Sequence, residues 1–576
     1  MNHLLKDCWT TVMGSSMLFR RFIYVDNVPR DMDTLVIGLD GGEWEVIAPL
    51  IERGELPHLA RIKAEGVSGP LQSITPPVSP PAWNSIQTGT NPGKHGIYDF
   101  STFDEDYSRR SVNSADRSVE PFWTVMNDEG VKTGLFKVPF TYPPDDVDGF
   151  MVTGFPTPNI VDDHATPAPV ADRVGPVEDL FEDWSLQQAG DYEAFLEDLI
   201  QVAERQTDLF LELLQDYETD FSMTVYDGSD RVQHFFWKYF DESHPRYTSD
   251  SPLTGAIEEY YRTVDRGIGR ILDIINDDCD VIVISDHGFG PLSSDIYVDE
   301  WLVDEGFLSR RSELSGGKAV DDVLATTLKA GWRAVKHADL DTAVRSLLPA
   351  SWFQRGKNLQ DDSHRDIIWD ETQVFFGTLS GQALFVNLEE GFNRGTVPQN
   401  QYDEVVSEVR RSLLSLQHPE TGKELVEEVI RSDEAFDGWR VEQAPDLIVR
   451  TVPDHTLKGG RSDTLVQPSA QNDHDRSGDH RTNGIFLAAG PSFSSGSIEG
   501  ASVLDIAPTL LYLQGSPIPQ SIDGSVLTEA LDNDLLDKRE IRTTAQYGQS
   551  DNSGRQWSDD EEAELEKRLS DMGYLD

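Results

Sequence analysis

The sequence is poor in cysteine. Only two cysteines, Cys8 and Cys279, occur among its 576 residues. They lie far apart and match no metal-binding or redox spacing, so a cysteine-based metal or redox site is not expected. A chain with so few thiols suits a reducing compartment, and we predict a cytoplasmic location.

The sequence also lacks a long hydrophobic run. No segment approaches the roughly 20 apolar residues that cross a bilayer, so we predict no membrane span. The first 31 residues contain Arg20 and Arg21 but no apolar run of signal-peptide length before a small-residue cleavage site. We interpret residues 1–31 as an N-terminal extension.

Basic residues are scarce relative to acidic ones. The chain has 48 Lys and Arg against 102 Asp and Glu, which gives a formal net charge of −54. Such a surface repels nucleic-acid backbone and anionic membranes, so neither is an expected partner. The acidic residues are spread along the whole chain, which favours a protein adapted to a salty cytosol, where salt screens self-repulsion. An acidic interaction surface is the alternative.

Short apolar runs that end near glycine are what the sequence does contain. They occur at residues 34–42, 222–230, 280–288 and 484–490. Helical stretches lie between them, such as residues 192–214, in which Leu196, Leu199, Ile200 and Ala203 form one apolar stripe. Continuous apolar strands that alternate with helices predict an α/β fold with a mostly parallel central sheet and helices on both faces.

Residues 293–475 interrupt this alternation. They include a Gly/Ser-rich stretch at 312–320, amphipathic helices, and a strand-like run at 381–391. We interpret 293–475 as an inserted lid region. It divides an α/β core into a first part, 32–292, and a C-terminal part, 476–545. Residues 546–576 are predicted to form an acidic C-terminal tail that contains a charged surface helix.

Acidic and imidazole side chains follow three of the predicted strands. Asp40 follows the first strand, Asp230 and His234 follow the second, and Asp286 and His287 follow the third. Open α/β sheets bind ligands at the carboxyl ends of their strands, so we expect these side chains to converge on one crevice. Asp230 and His234 are spaced i, i+4, which places them on one face of a helical turn.

Ser79 lies among four prolines, in "TPPVSPP", immediately before a predicted helix. Pro80 and Pro81 suit a first helical turn, which puts Ser79 at or next to the N-cap. We expect free backbone N–H groups of this turn to point toward Ser79. Because helix N-termini favour anions, the position suits a nucleophile that attacks an anionic substrate.

Each of these residues alone also fits an ordinary structural role. Asp40 before two glycines fits a strand-terminating turn, and Ser79 fits a plain N-cap. Asp230 and His234 fit a solvated pair on a helix. Asp-His pairs occur five times in this acidic chain, but only Asp286-His287 directly follows a buried strand and precedes glycine. The order of these strand-end residues along the chain nevertheless favours a shared site.

That order resembles the alkaline phosphatase superfamily, and within it the type I phosphodiesterase/nucleotide pyrophosphatase branch. The resemblance covers most of residues 34–527. It rests on Asp40, on Ser79 in "SPPAWNSIQTGTNPGKHGI", on Asp230-x-x-x-His234, on Asp286-His287-Gly288 and on Gly478-Asp479-His480. It implies an alkaline phosphatase-like sandwich fold and a hydrolase that acts on phosphoric ester or phosphoanhydride bonds.

The resemblance further implies a site with two divalent metal ions. One ion would be held by Asp40, Asp286, His287 and the Ser79 oxygen, and the other by Asp230, His234 and His480. These oxygen and imidazole ligands suit zinc, with manganese or iron as alternatives. Two cations roughly 4 Å apart would clamp the phosphate and activate Ser79, and the resulting phospho-serine would be hydrolysed by water.

Two departures from the family pattern concern the substrate. Nucleotide pyrophosphatases usually have threonine in place of Ser79, and an asparagine a few residues after "HGI", where this chain has Asp99 and Phe100. Related sulfatases use Cys/Ser-x-Pro-x-Arg, and here Trp83 replaces the arginine. We therefore rank sulfatase below phosphodiesterase.

We predict a metal-dependent phosphodiesterase or nucleotide pyrophosphatase that acts on a small-molecule phosphoester, such as a nucleotide or a sugar nucleotide. Alternatives within the superfamily are phosphomonoester hydrolysis, sulfate ester hydrolysis and phospho-group transfer. A non-catalytic protein that binds phosphate or glycan is a third alternative, which the complete ligand set disfavours. The inserted lid is expected to shape the substrate pocket.

Overall fold

The computed structural model describes residues 32–311, 366–377, 381–469, 475–549 and 557–572. The predicted N-terminal extension and the Gly/Ser-rich stretch 312–320 lie outside these residues. The strands are Thr34–Leu39 (β1), Val67–Gln72 (β2), Ser101–Phe103 (β3), Arg109–Ser111 (β4), Thr133–Val138 (β5), Gly149–Thr153 (β6), Ala165–Thr166 (β7), Phe221–Tyr226 (β8), Asp280–Ile284 (β9), Gly288–Tyr297 (β10), Val374–Phe376 (β11), Ala383–Val386 (β12), Val426–Arg431 (β13), Leu447–Thr451 (β14), Asp454–Lys458 (β15), Val466–Pro468 (β16), Gly478–Arg481 (β17), Asn483–Ala489 (β18), Gly496–Ser497 (β19), Ala501–Ser502 (β20), Ile518–Pro519 (β21) and Thr543–Thr544 (β22).

The α-helices in these ranges are Trp44–Glu52, Pro57–Glu65, Ser79–Thr88, Pro92–His95, Phe122–Asp128, Ala168–Val174, Trp184–Gln188, Tyr192–Asp216, Gly228–Phe240, Ala256–Leu272, Val298–Asp304, Tyr402–Leu413, Ser432–Ala435, Ile506–Leu513, Asn533–Lys538 and Asp559–Asp571. Within the described ranges, no helix combines the length and the apolar character that crossing a membrane requires.

A ten-stranded sheet forms the centre of the molecule. Its order is β19-β2-β18-β9-β1-β8-β5-β6-β7, with β20 beside β2. Strands β9, β1, β8, β5 and β6 are parallel to their neighbours in this series. The mostly parallel central sheet is therefore confirmed. The predicted strand at 484–490 corresponds to β18, which pairs antiparallel with β9. It runs this way because the chain enters β18 from β17, at the edge where the parallel strands end.

Helices cover both faces of the sheet, as the α/β pattern predicts. Successive side chains of a strand point to opposite faces. Accordingly, Leu35, Ile37 and Leu39 of β1 belong to one buried cluster and Val36 belongs to another. The first cluster includes side chains of the helices Tyr192–Asp216, Gly228–Phe240 and Ala256–Leu272, and the second includes those of Ser79–Thr88, Phe122–Asp128 and Ile506–Leu513.

The helix Tyr192–Asp216 forms where the apolar stripe predicts it. Leu199 and Ala203 are buried, and Leu196 and Ile200 are partly buried against the same cluster. The buried face continues through Phe210 to Leu214 in the last part of the helix, beyond the four residues that defined the stripe.

A third buried cluster lies mainly in the predicted lid region, from Ile296 to Leu457. It packs around the sheet β11-β12-β14-β13. Tyr107, from the turn between β3 and β4, also belongs to it and stacks on Trp369 with ring centroids 3.7 Å apart. A residue of the predicted first core part thus contributes to this cluster. The domain boundaries stay predictions.

The helix Asp559–Asp571 lies in the predicted acidic tail, where the sequence indicated a charged surface helix. Its Leu565 and Leu569 are buried, and so is Arg568. One face of the helix therefore packs into the molecule, and Glu561 of its acidic first turn is buried as well, while Asp559 and Asp560 are exposed.

Candidate active site

The carboxyl ends of three adjacent strands bring most of the predicted site residues together. Strand β1 pairs in register with both β8 and β9, so the three strands end at nearly the same level. Asp40 follows β1, and the helix Gly228–Phe240, which carries Asp230 and His234, follows β8. Asp286 and His287 follow β9.

His480 reaches the same place from much later in the chain. Strand β17 pairs antiparallel with β10, and this places His480 opposite Phe289. Because β10 begins directly after His287, the two imidazoles become neighbours. Their rings stack with centroids 4.0 Å apart.

Asp230, His234 and His480, here called the histidine group, form a compact set of donor atoms. The Nε2 of His480 lies 3.2 Å from Asp230 Oδ1 and 3.1 Å from His234 Nε2. Asp230 Oδ1 lies 3.3 Å from His234 Nε2, as the i, i+4 spacing on a helix allows. One oxygen and two imidazole nitrogens that face one another are suitable ligands for a divalent ion.

Asp40, Ser79, Asp286 and His287, here called the serine group, lie beside it. The Ser79 Oγ lies 3.3 Å from Asp40 Oδ1 and 3.1 Å from His287 Nε2. Asp286 Oδ2 lies 3.3 Å from the same imidazole nitrogen. Ligand atoms of Asp40, Asp230 and His287 also lie within 4.8 Å of one another, so Asp230 borders both groups.

The helix end offers Ser79 fewer backbone donors than the sequence analysis expected. Val78 is the N-cap, and Ser79, Pro80 and Pro81 are the first three helical residues. Proline has no backbone N–H. The N–H of Ala82 already bonds to the carbonyl of Val78. The expectation of several free N–H groups pointing toward Ser79 is therefore wrong, since only its own N–H remains in this turn.

Trp83, one helical turn after Ser79, holds Asp40. Its Nε1 donates a hydrogen bond of 2.9 Å to Asp40 Oδ2, which leaves Oδ1 facing Ser79. Gly38 makes room for the indole, because a Cβ at that position would lie 2.7 Å from Trp83 Cη2. Sequence analysis noted Trp83 only as a replacement for the sulfatase arginine. Its bond to Asp40 joins two separate segments, and no local pattern indicates it.

Burial keeps the imidazoles neutral. It lowers the pKa of His234 and of His287 to about 4, and it lowers the pKa of His480 as well. The Nδ1 atoms of His287 and His234 lie 3.0 Å and 2.9 Å from the carbonyl oxygens of Gly288 and Gly478. A carbonyl only accepts hydrogen bonds, so the Nδ1 of His287 carries its proton, and the Nε2 lone pair of His287 faces the cluster, as metal ligation requires. The Nδ1 of His234 also lies 2.8 Å from Arg476 Nη2, which only donates hydrogen bonds.

The three buried carboxylates repel one another. Burial, with added repulsion from Asp286 and Asp230, raises the pKa of Asp40 well above its usual range. Burial likewise raises the pKa of Asp286 to about 7. Burial also acts to raise the pKa of Asp230, but His234, His480 and Arg231 together hold it well below its usual range. A bound cation would relieve this repulsion.

The donors present fit divalent metal ions. Asp286 Oδ1 accepts a hydrogen bond of 3.1 Å from the Gly41 N–H. Its Oδ2 is buried and accepts none, because the nearby Nε2 of His287 carries no proton. An unsatisfied buried acceptor costs free energy, which a metal ion would offset. Carboxylate, hydroxyl and neutral imidazole ligands suit zinc, manganese or iron.

Gln233 is a supporting residue that sequence analysis missed. Its Nε2 donates hydrogen bonds of 2.8 Å to the Gly41 carbonyl and 2.9 Å to the Ser229 carbonyl. Ser229 Oγ in turn donates to the Asp40 carbonyl at 2.8 Å. The helix after β8 is thereby tied to the loop after β1, and this tie fixes the segments that carry Asp230 and Asp40 relative to each other.

Two arginines at the site were also missed. Arg231 Nη1 donates a hydrogen bond of 2.7 Å to Asp230 Oδ2. Arg476 Nη2 lies 3.0 Å from Asp479 Oδ1 and 3.1 Å from His234 Nε2. Both arginines are close in sequence to predicted ligands, but an arginine beside a motif is no signal by itself in a chain this long.

Asp99 and Phe100 lie where the resembled family has an asparagine, and both are buried. Asp99 Oδ1 accepts a hydrogen bond of 2.8 Å from the Phe100 N–H. The Phe100 ring packs against Phe140 and Phe155. Neither side chain offers the N–H donors of an asparagine.

Comparison with known proteins places the chain in a family. Residues 34–483, which are 450 of the 576 residues, match the family model described as "Type I phosphodiesterase / nucleotide pyrophosphatase". A comparison with curated protein sequences finds no significant match. Similar solved structures include human ectonucleotide pyrophosphatase / phosphodiesterase 5, with a TM-score of 0.45 and 15% identity over 87% of this chain and 100% of that chain.

An inactive murine ectonucleotide pyrophosphatase / phosphodiesterase 5 in complex with AMP gives a TM-score of 0.46 and 15% identity over 87% of this chain and 100% of its own. Phosphonoacetate hydrolase from Sinorhizobium meliloti in complex with phosphonoformate gives 0.49 and 15%, over 84% and 96%. These ligands and activities belong to the other proteins. On the strength of the family match, this chain belongs to the type I phosphodiesterase/nucleotide pyrophosphatase family, a family of hydrolases that act on phosphoester bonds.

Proposed function

We propose that this hydrolase cleaves a phosphodiester or phosphoanhydride bond of a small-molecule substrate, with Ser79 as the nucleophile. The observation that carries the proposal is the position of Ser79 Oγ, 3.3 Å from Asp40 Oδ1 and 3.1 Å from His287 Nε2. A serine that only caps a helix accepts hydrogen bonds from backbone N–H groups of the first turn. Two prolines remove most of those donors here, and the hydroxyl faces a carboxylate and an imidazole instead.

Two divalent ions complete the proposed site. The serine group would hold one ion and the histidine group the other, with zinc favoured and manganese or iron as alternatives. When bound, the ions would polarise the phosphate oxygens, lower the pKa of the serine hydroxyl and balance charge on the leaving oxygen.

Ser79 supplies the attacking oxygen. Asp40 and His287 orient its Oγ, which bonds to phosphorus while the bond from phosphorus to the leaving oxygen breaks. The proton of the hydroxyl ends on the leaving group, and Ser79 becomes phospho-serine. Water then cleaves the Oγ–P bond and restores the hydroxyl, so the net reaction is hydrolysis.

The surroundings of Ser79 favour phosphate esters over sulfate esters. Trp83 stands where sulfatases have an arginine, and its indole is committed to Asp40 at 2.9 Å. No cation therefore occupies that position. Arg476 brings a guanidinium to 2.8 Å from His234 Nδ1 and 3.1 Å from His234 Nε2, and a guanidinium there suits an anionic substrate.

The serine assignment is tested with Ser79→Ala. We expect zinc- or manganese-loaded protein to hydrolyse bis-p-nitrophenyl phosphate and the variant to lose activity by at least about 1,000-fold, because the attacking oxygen is gone. The matched control is Ser85→Ala, since Ser85 is buried on the same helix and its Oγ faces His95. Full activity of Ser79→Ala would contradict the proposal.

The ester class is tested on the same samples. Turnover of p-nitrophenyl phosphate and p-nitrophenyl sulfate, measured beside the diester, separates a phosphomonoesterase or a sulfatase from a diesterase. We expect the diester to give the highest kcat/KM. Metal content is measured in parallel, and a protein that binds no ion would contradict the two-ion proposal.

A further inference from the structure

The two oxygens of the Asp230 carboxylate have different partners. Oδ1 faces His234 and His480 at 3.3 Å and 3.2 Å. Oδ2 accepts a hydrogen bond of 2.7 Å from Arg231 Nη1. The side chains of Arg231 and Asp230 are 6% and 0% exposed, so water does not compete for this contact. Only Oδ1 is therefore open toward the histidine group.

Arg231 is itself held from several sides. Its Nε donates a hydrogen bond of 3.3 Å to Oε1 of Glu182, whose side chain is only 3% exposed. The guanidinium carbon lies 5.5 Å from the ring centroid of Phe155 and 5.7 Å from that of Trp184. A planar guanidinium that bridges two carboxylates and lies over aromatic rings has little freedom to rotate.

Further buried charges surround this arrangement. Lys137 Nζ lies 2.8 Å from Asp227 Oδ1. The Arg568 guanidinium lies over the rings of Phe155 and Phe181, at 5.3 Å and 4.8 Å from their centroids. Glu182 and Asp227 lie near Lys137, Arg231 and Arg568, so buried charges of both signs surround the Arg231 guanidinium.

We propose that Arg231, held by Glu182, is a positioning residue for the metal ion of the histidine group. By occupying Oδ2, it turns Asp230 so that this carboxylate offers Oδ1 alone to the ion. Supporting residues that orient a metal ligand commonly change metal affinity by about 10- to 100-fold when they are lost. The inference rests on the proposed function, because it requires an ion at the histidine group.

Charge and orientation predict different outcomes. If Arg231 acted only by its charge, its removal would strengthen ion binding, because a cation next to the ligand weakens the attraction for a metal ion. If it acts by orientation, its removal frees the carboxylate to rotate and weakens binding. Lysine separates the two effects further, because it keeps the charge but cannot bridge Asp230 and Glu182 with a planar fork.

The experiment measures Zn²⁺ affinity and ion content for Arg231→Met, Arg231→Lys and Glu182→Gln, by competition with a chelating dye and by elemental analysis. We expect one of the two ions to bind about 10- to 100-fold more weakly in both Arg231 variants. The other ion keeps wild-type affinity. Glu182→Gln is expected to weaken the same ion by a smaller factor, because Arg231 keeps its bond to Asp230.

Arg310→Met is the matched control. Arg310 and Asp299 also form a buried ion pair, at 2.7 Å with side chains 6% and 2% exposed, but close in sequence to Val298 and Leu308 of the third cluster. This variant should be destabilised yet bind both ions normally. The inference is overturned if Arg231→Met binds both ions as tightly as wild type or more tightly, if Arg231→Lys restores wild-type affinity, or if Arg310→Met shows the same loss.

Asp230→Ala distinguishes failure of the inference from failure of the proposed function. If Asp230→Ala loses one ion while the Arg231 variants keep both, only the positioning role fails. If Asp230→Ala itself keeps both ions, the proposed metal assignment fails, and the positioning role fails with it.

Discussion

His95 lies buried just after the helix that carries Ser79, and its two ring nitrogens have different roles. Its Nδ1 accepts a hydrogen bond of 3.1 Å from the Ile97 N–H. Its Nε2 lies 3.1 Å from Ser85 Oγ and carries the proton. Protonation of Nδ1 would break the bond to Ile97. Burial, with repulsion from Arg117, lowers the pKa of His95 to about 3.

A pH dependence of stability follows. An unfolded histidine takes up its proton near pH 6.5, so below that pH the unfolded state binds more protons than the folded one, and stability falls until about pH 3. We expect His95→Asn to be less stable than wild type at pH 8. Its free energy of unfolding should fall less steeply with decreasing pH, by up to about 1.4 kcal/mol per pH unit.

Urea unfolding at a series of pH values measures this difference. The other buried histidines titrate in both proteins, so the comparison of wild type with variant isolates one proton. Equal slopes for the two proteins between pH 6.5 and 4 would contradict the assigned protonation of His95.

Individual site residues could be predicted where a local pattern marks them. Asp40 and Asp286 stand just beyond apolar runs and Asp230 stands one helical turn beyond another, and parallel strands of one sheet bring such positions together at its carboxyl edge. Trp83 and Glu182 carry no such mark, because their partners come from separate segments. The helix-end donors at Ser79 were overestimated, because the prolines that make the turn also remove its N–H groups.

At the scale of elements, apolar runs indicate that a strand exists but not its direction. Strand β18 has the same apolar character as β1 and β9, yet it runs antiparallel to β9. Its direction depends on β17, whose pairing with β10 brings the chain to the carboxyl edge of the sheet. Such a tertiary contact has no signature in the residues of β18 itself.

The helix Asp559–Asp571 is another element whose packing the sequence understated. An acidic stretch of this composition predicts a solvated helix, but Arg568 reaches inward and donates a hydrogen bond to the Thr157 carbonyl. Its guanidinium also covers the rings of Phe155 and Phe181. The helix therefore closes one side of the core around Arg231.

We expect Arg568→Met to lower the free energy of unfolding by about 2–4 kcal/mol, because it removes the donor to the Thr157 carbonyl and a buried positive charge near Glu182 and Asp227. Lys567→Met is the control. Lys567 is exposed on the same helix, and its replacement should change stability by less than about 0.5 kcal/mol. Equal urea midpoints for Arg568→Met and Lys567→Met would show that the inward face of this helix contributes little.

The whole molecule carries a formal charge of −54. This net charge, rather than any single surface residue, is the basis for predicting how stability depends on salt. Because acidic side chains exceed basic ones by 54, exposed carboxylates repel one another across solvent, where dissolved salt screens them. The screening length falls from about 10 Å at 0.1 M salt to about 3 Å at 1 M. Compaction of the chain is therefore expected to depend on ionic strength.

We expect the thermal midpoint of unfolding to rise between about 0.1 M and 1 M KCl and to change little beyond, because screening is then nearly complete. Calorimetry in a KCl series measures this. A thermal midpoint that stays constant over the series, or that rises without levelling, would contradict the prediction. It would show that salt does not stabilise this protein by screening repulsion between acidic side chains.

The pairing of β10 has a consequence for how this molecule can be altered. The chain leaves the central sheet along β10 and returns beside the same strand, with Ile296 opposite Val466 and Pro291 opposite Gly478. The described part of the predicted lid region also contacts the first core part, since Tyr107 belongs to its buried cluster. We expect a tight turn spliced across those points of β10 to remove the predicted lid region while keeping all seven proposed metal-site side chains in one polypeptide. If this region shapes the substrate pocket as predicted, exchanging it changes substrate selection and leaves the proposed metal ligands in place.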